Sequence, residues 1–279
     1  MRKKYHSAEV VRTREGEQYH IGLKPGDLAE YILLCGDVDR ANKIAHYFDK
    51  IELSKSNREF VTFTGAYKGI PLSVMGTGIG PDNTEIAVIE ISQIVKNPTF
   101  IRLGSCGALQ KDIKIGELIV TTASVRLENA SLYFVDAGYP AVANYEIVLA
   151  LIQGCEKVGA KYSVGLTASA PGFYGAQSRH IGKFKPLFPN LPNDLAEKNV
   201  LNFEMETSAL FTLSSIGGFR AGAVCAVFAN RHNNKFIDSV GMAKADALCI
   251  KAGLSALEVL AEMDKDKKRR NAKYWYPKI

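Results

Sequence analysis

Tyr31-Ile32-Leu33-Leu34-Cys35-Gly36-Asp37-Val38-Asp39-Arg40 decides the fold class: an apolar run stops at a glycine and a polar stretch opens behind it. The first five residues read as a buried strand, by length and β-branching. Residues 37–48 follow with Val38, Ile44, Ala45 and Phe48 at helical spacing, and their acidic start suits the positive end of a helix dipole. A glycine at a strand end that opens a helix presents free backbone N–H groups to an anion. Arg40 lies one helical turn from Gly36, so its guanidinium can curl back to the same place.

The pattern repeats outward from this unit. Phe60–Tyr67, the turn Lys68-Gly69 and residues 70–75 read as a hairpin. Gly76-Thr77-Gly78-Ile79-Gly80 leads into a helix at 82–95. Further strands are expected at 99–104, 117–123, 162–168 and 220–229, and helices at 145–158, 205–215 and 242–263. Strands alternating with helices predict a single α/β domain over residues 28–263, a central mixed β-sheet flanked by helices. Residues 1–27 read as an N-terminal arm, 180–198 as a polar, proline-rich surface insertion, and 264–279 as a basic aromatic C-terminal tail.

Composition narrows the function classes. The 279 residues are 47% hydrophobic, enough for a substantial core, yet no run of about 20 apolar residues suggests a membrane span. The amino terminus lacks the apolar run of a secretory signal, so a cytoplasmic protein with no membrane partner is expected. Five scattered cysteines without a CxxC or Cys/His cluster read as free thiols in a reducing compartment and offer no metal site. Lys and Arg exceed Asp and Glu by six. The tail alone holds Lys265, Lys267, Lys268, Arg269, Arg270, Lys273 and Lys278 against Asp266, so the body is near neutral. With Tyr274, Trp275 and Tyr276 interleaved, such a tail can touch nucleic acid. A solvated or subunit-docked end is the preferred reading, and no nucleic-acid partner is expected.

Three motifs carry chemistry. The glycine turn 76–80 evokes dinucleotide binding, but its third glycine is misplaced for GxGxxG, Pro81 follows, and no acid ends a second strand about 20 positions on. It reads instead as a turn that admits an anion or another backbone. Arg102-Leu103-Gly104-Ser105-Cys106-Gly107 places a second arginine and a hydroxyl at a strand end. With Gly36 and Arg40 these make a phosphate subsite. In Asn202-Phe203-Glu204-Met205-Glu206-Thr207 a short strand meets a helix, and residues two apart share a face. No histidine or third acid lies nearby in sequence, which disfavours a metal. A carboxylate accepting from the two vicinal hydroxyls of a ribose and an acid capping the helix start both remain open.

The chain resembles the nucleoside phosphorylase family, and within it the uridine phosphorylase branch, from about Tyr19 to about Ala261. The likeness rests on Tyr19-His20-Ile21-Gly22-Leu23, residues 36–40, Asn57-Arg58-Glu59-Phe60, residues 76–80 and 102–107, Thr121-Thr122-Ala123-Ser124-Val125-Arg126-Leu127, Phe173-Tyr174-Gly175-Ala176-Gln177-Ser178-Arg179 and residues 203–206. The Phe-Tyr-x-x-Gln-x-Arg run and Asn230-Arg231 point to the uridine branch.

The resemblance implies reversible phosphorolysis, with uridine and inorganic phosphate giving uracil and ribose 1-phosphate, in pyrimidine salvage. It implies a phosphate site of Gly36, Arg40, Arg102 and Ser105, with Arg58 from a neighbouring subunit. It implies a ribose site of Glu204, Met205 and Glu206, with His20 of a neighbour at the 5′ hydroxyl, and a base site of Phe173, Gln177 and Arg179. Catalytic roles fall to Arg102, Arg179 and Glu206. Sharing His20 and Arg58 implies a homo-oligomer, a ring-shaped hexamer of three dimers. No organic cofactor is implied; phosphate is a co-substrate.

Uracil shows an acceptor–donor–acceptor edge, which the amide of Gln177 and the donors of Arg179 match. Purine-specific relatives carry an aspartate at the position of Asn230, and its absence argues against purines. Cys106 stands where relatives carry threonine, and Pro171-Gly172 precedes Phe173 unusually. Some bacterial members hold a monovalent cation at a subunit interface through the acid matching Glu59, so a monovalent cation near Glu59 stays open, although Pro81-Asp82-Asn83 replaces the usual continuation there. Two other readings stay open: a purine nucleoside phosphorylase or nucleosidase of the same family, and a non-catalytic nucleoside-binding protein.

Overall fold

In the computed structural model, residue 5 and residues 7–277 are described; the first four residues and His6 of the expected arm, and Lys278 and Ile279 of the expected tail, lie outside the described residues. In chain order the elements are β1 (Tyr31–Cys35), α1 (Val38–Ala45), β2 (Lys50–Asn57), β3 (Phe60–Tyr67), β4 (Ile70–Gly76), α2 (Pro81–Ser92), β5 (Thr99–Ala108), β6 (Leu118–Arg126), β7 (Ala141–Val142) and α3 (Tyr145–Lys157). They continue with β8 (Tyr162–Ser169), α4 (Leu191–Glu197), β9 (Val200–Glu204), α5 (Thr207–Gly217), β10 (Arg220–Asn230), β11 (Lys235–Phe236) and α6 (Ser239–Arg270).

The apolar run of β1 is explained by burial on both faces. Leu33 and Cys35 pack among residues of α1, α3 and α6, while Ile32 and Leu34 pack among residues of α2 and α5. The sheet is therefore a middle layer between two helical layers, as the alternation predicts. β1 lies between β4 and β5, parallel to both, and β5 is parallel to β10. The carboxyl ends of these four strands share one edge. β5 also closes a ring through β10, β6, β8 and β9, mixing parallel and antiparallel pairs. From β1 the chain moves out to β4 and then returns across β1 to β5, so a crevice opens outside the strand ends there.

Several bounds differ from the sequence reading. β2 carries no clear alternation (Lys50-Ile51-Glu52-Leu53-Ser54-Lys55-Ser56-Asn57); it is the edge strand of the sheet, with a register shift between Ile51 and Leu53. Such lysine-bearing, irregular edges resist pairing with other chains, at the expense of a readable pattern. The 180–198 insertion contains α4. Helix α6 runs to Arg270, past the expected 263/264 division, because Asp264 and Lys267 are tied to the body by ion pairs with Arg220 and Glu146. Beyond it Trp275 packs against the main core, its N–H donating to Glu146 Oε1 (2.9 Å) and its carbonyl accepting from Tyr145 Oη (2.6 Å). The aromatic tail thus docks on its own α3. No helix among the described residues is long and apolar enough to cross a membrane.

Candidate active site

At the shared edge of the strands lies a cavity of about 720 Å³, lined from Gly36, Arg40, Arg102, Ser105, Glu204, Met205 and Glu206 at one end to Phe173, Gln177 and Arg179 at the other. Gly36 sits in a tight place: a Cβ there would stand 3.3 Å from the Gly78 carbonyl and 3.4 Å from Glu206 Oε1. Asp37 caps α1 by accepting from the Asp39 N–H, which sets Arg40 in the first turn. The guanidinium of Arg40 is buried; Nε donates to Asp246 Oδ1 (2.5 Å) and Nη1 to the Leu103 carbonyl (3.1 Å). Arg102, buried in β5, donates from Nε to Glu204 Oε2 (3.0 Å) and from Nη2 to Glu206 Oε2 (2.5 Å). Burial alone would weaken its hold on the proton, but the two carboxylates outweigh that and raise its pKa, so it stays cationic.

The two acids divide the roles that the sequence leaves open. Glu204 accepts from the backbone N–H of Glu206 (2.9 Å) and Thr207 (3.0 Å), and from Ser169 Oγ. Its side chain thus takes up the first N–H groups of α5, whose N-cap position is Glu206 and which starts at Thr207 rather than Met205. Glu206 accepts from the Gly80 N–H (2.8 Å) through Oε1 and from Arg102 through Oε2. Gly80 has φ +112°, a backbone that favours glycine, so the turn 76–80 serves to aim this N–H. Burial raises the Glu206 carboxyl above its ordinary value, and Arg102 opposes that rise.

At the other end, Gln177 is buried and Phe173 is 46% exposed. Arg179 Nη1 donates to the Phe173 carbonyl and to Gln177 Oε1 (2.7 Å), and its Cζ lies 3.8 Å above the Phe173 ring. One face of the ring is thus covered by the guanidinium. Arg231, on the turn after β10, donates to the Gln177 carbonyl (2.9 Å). No ion pair neutralises Arg179 or Arg231 among the described residues. Burial and the repulsion from Arg231 push Arg179 down to about 10, still protonated at neutral pH. Cys106 also lines the cavity, and burial lifts its thiol well above the usual range, so it is a neutral wall. Asn230 is spent on the backbone: Nδ2 donates to the carbonyls of Gln110 (3.0 Å) and Ile113 (2.8 Å), and Oδ1 accepts from the Asn233 N–H (2.9 Å).

His20 and Arg58 do not line this cavity. They lie together elsewhere: the Arg58 guanidinium is 4.6 Å from the Tyr19 ring centre, and the Tyr19 and His20 rings meet edge to face at 4.8 Å. His20 Nδ1 is 2.7 Å from Glu90 Oε1, and Asn57 Nδ2 donates to the His20 carbonyl (2.6 Å). Glu59 is exposed and touches the cavity wall. No group of three or more His, Cys, Asp or Glu able to hold a metal ion occurs among the described residues.

The sequence reading missed Asp246, Glu90, Asn83, Phe228 and Phe236, the last three being wall residues. Asp246 had a signal: it is an acid on the face of α6 that buries Ala245, Cys249 and Ile250 and packs Met242 against the core.

The model of the phosphorylase superfamily matches residues 30–256, which spans β1 and most of α6. The chain belongs to the phosphorylase superfamily. Among its relatives, uridine phosphorylase of Thermococcus kodakarensis is 47% identical over 279 residues, covering 99% of each chain. Uridine phosphorylase of Escherichia coli is 37% identical over 247 residues, 87% of this chain and 97% of the relative. Guanosine phosphorylase of Halorubrum lacusprofundi is 33% identical over 225 residues, 80% of this chain and 88% of the relative.

Proposed function

We propose that this chain is a uridine phosphorylase, a pentosyltransferase that converts uridine and phosphate to uracil and ribose 1-phosphate, reversibly, in pyrimidine salvage. The observation that carries the reading is one cavity with buried Arg40, Arg102 and Glu206 at one end and Phe173, Gln177 and Arg179 at the other. Phosphate sits against the Gly36 N–H, Arg40, Arg102 and Ser105. Glu206 accepts from the ribose 2′ and 3′ hydroxyls, with Met205 against the sugar, while Glu204 holds Arg102 and the start of α5.

As the glycosidic bond stretches, positive charge grows on the sugar, and the phosphate beneath C1′ stabilises it and then forms the new C–O bond. The electron pair of the broken bond passes to N1 of uracil and spreads to its carbonyl oxygens. Arg179 and Gln177 address that edge, and the two uncompensated guanidiniums favour its negative charge. Phosphate is the nucleophile, and no organic cofactor is needed.

Charge supports sharing of the site between subunits. Arg102 already faces two carboxylates and Arg40 faces Asp246, so an arriving dianion finds little net positive charge in its own chain. Arg58 of a second copy supplies the missing cation, and His20 of that copy meets the 5′ hydroxyl. The protein is accordingly a homo-oligomer, a hexamer of three dimers. Five free, buried cysteines are in keeping with a reducing, cytoplasmic setting. Nucleic acid and membrane are not among its partners.

The guanosine phosphorylase relative raises a purine reading. Against it, Asn230 is neutral and its amide is committed to three backbone groups, leaving no acid for a purine N7. Parallel assays of uridine, cytidine and inosine with phosphate test the assignment. Uridine is turned over at least ~10-fold faster in kcat/KM than either, because each mispaired base contact costs about 1–3 kcal/mol. Preference for inosine over uridine overturns it.

A further inference from the structure

Helix α6 reaches the phosphate end of the cavity from behind, through Asp246. This acid is 3% exposed and does not line the cavity. Its neighbours Ala245, Cys249 and Ile250 belong to the main core. A carboxylate in such surroundings is costly unless it is well paired. It is paired twice, both times to α1: Oδ1 accepts from Arg40 Nε at 2.5 Å and Oδ2 from Lys43 Nζ at 2.8 Å. The two partners differ. Lys43 is half-exposed, while Arg40 is buried and lines the cavity.

The guanidinium of Arg40 is consequently held at two points, Nε by Asp246 and Nη1 by the Leu103 carbonyl of β5. Among the described residues Nη2 has no hydrogen-bond partner. A planar fork held at two of its three nitrogens presents its remaining donors in a set direction, the arrangement that suits a tetrahedral oxyanion. Without the Nε anchor the side chain has several rotamers, and an anion must order it on binding.

We propose that Asp246 is a positioning residue of the phosphate subsite: it grips Arg40 through Nε and so orients Nη2 toward the bound phosphate. This rests on the reading of Arg40 as a phosphate ligand. A role confined to neutralising a buried arginine would give a different signature, because it would disturb folding and both substrates alike.

Steady-state phosphorolysis of uridine by the full-length protein separates these cases. In Asp246→Asn, the KM for phosphate is expected to rise about tenfold or more while the KM for uridine moves less than about twofold, with kcat largely restored at saturating phosphate, the pattern of lost ground-state binding. In Asp246→Glu the charge is kept but shifted by a methylene, and the phosphate KM is expected to rise about threefold or more. Arg40→Lys is the reference: it keeps the charge but loses the fork, and its phosphate KM rises at least as far as that of Asp246→Asn. If Arg40→Lys leaves the phosphate KM unchanged, Arg40 is not a phosphate ligand and the functional reading of this subsite falls. If Arg40→Lys raises it but Asp246→Asn does not, or raises both KM values equally, the positioning role is overturned. Should Asp246→Asn not fold, Asp246→Glu decides alone: an unchanged phosphate KM overturns the proposal.

Discussion

At the scale of single residues, the pair Glu204 and Glu206 shows what sequence spacing carries and what it does not. Two residues apart on a strand, both acids were legible as one site; their division of labour was not, because it depends on where the Thr207 and Gly80 N–H groups arrive. Glu206→Gln keeps size but loses charge-assisted acceptance, so kcat/KM for uridine falls about 10- to 100-fold, with a smaller loss for 2′-deoxyuridine. Kinetics on both substrates check this, and equal losses would remove Glu206 from the 2′ hydroxyl. Asp246 escaped although it sits on the apolar face of α6, because spacing alone does not show that Arg40 and Lys43 meet it there. Arg40, Arg102, Gln177 and Arg179 were visible through their places beside glycines and in a family motif, yet the stacking of Arg179 on Phe173 was not.

At the scale of elements, strands buried on both faces read clearly from their apolar runs, as β1 does. Edge strand β2 did not, because its side chains serve solvent as much as core. The last turns of α6 were hidden for a related reason: residues 264–270 are charged and carry no apolar stripe, and their helix is held by ion pairs. Asp264 shows this in its titration. Burial would raise its pKa, but bonds from Arg220, Tyr31 and Lys267 bring it down to about 2. A depressed carboxylate adds stability above its unfolded value of about 4, and that contribution is lost as pH falls toward 2. Asp264→Asn is therefore expected to lower Tm at pH 7 and to match the wild type near pH 2, as followed by thermal melts. A constant difference at all pH values would deny the charge its role. Gly80 belongs at this scale too. Gly80→Ala, forced into φ +112°, costs about 1–3 kcal/mol of stability and withdraws the N–H from Glu206.

At the scale of the molecule, the sheet edge gathers the site but leaves Arg58 and His20 outside their own cavity. If copies share sites, two impaired variants, Arg58→Ala and Glu206→Gln, regain part of the lost activity when co-expressed, because some sites then draw both intact residues from different chains. Absence of rescue in mixed oligomers would contradict sharing. In the proposed reaction phosphate itself takes the ribose. The direct measurement is to incubate the protein with uridine, with and without inorganic phosphate, and to quantify uracil, ribose 1-phosphate and free ribose. Uracil and ribose 1-phosphate are expected in equal amounts, and neither without phosphate. Uracil released with free ribose in the absence of phosphate would contradict it.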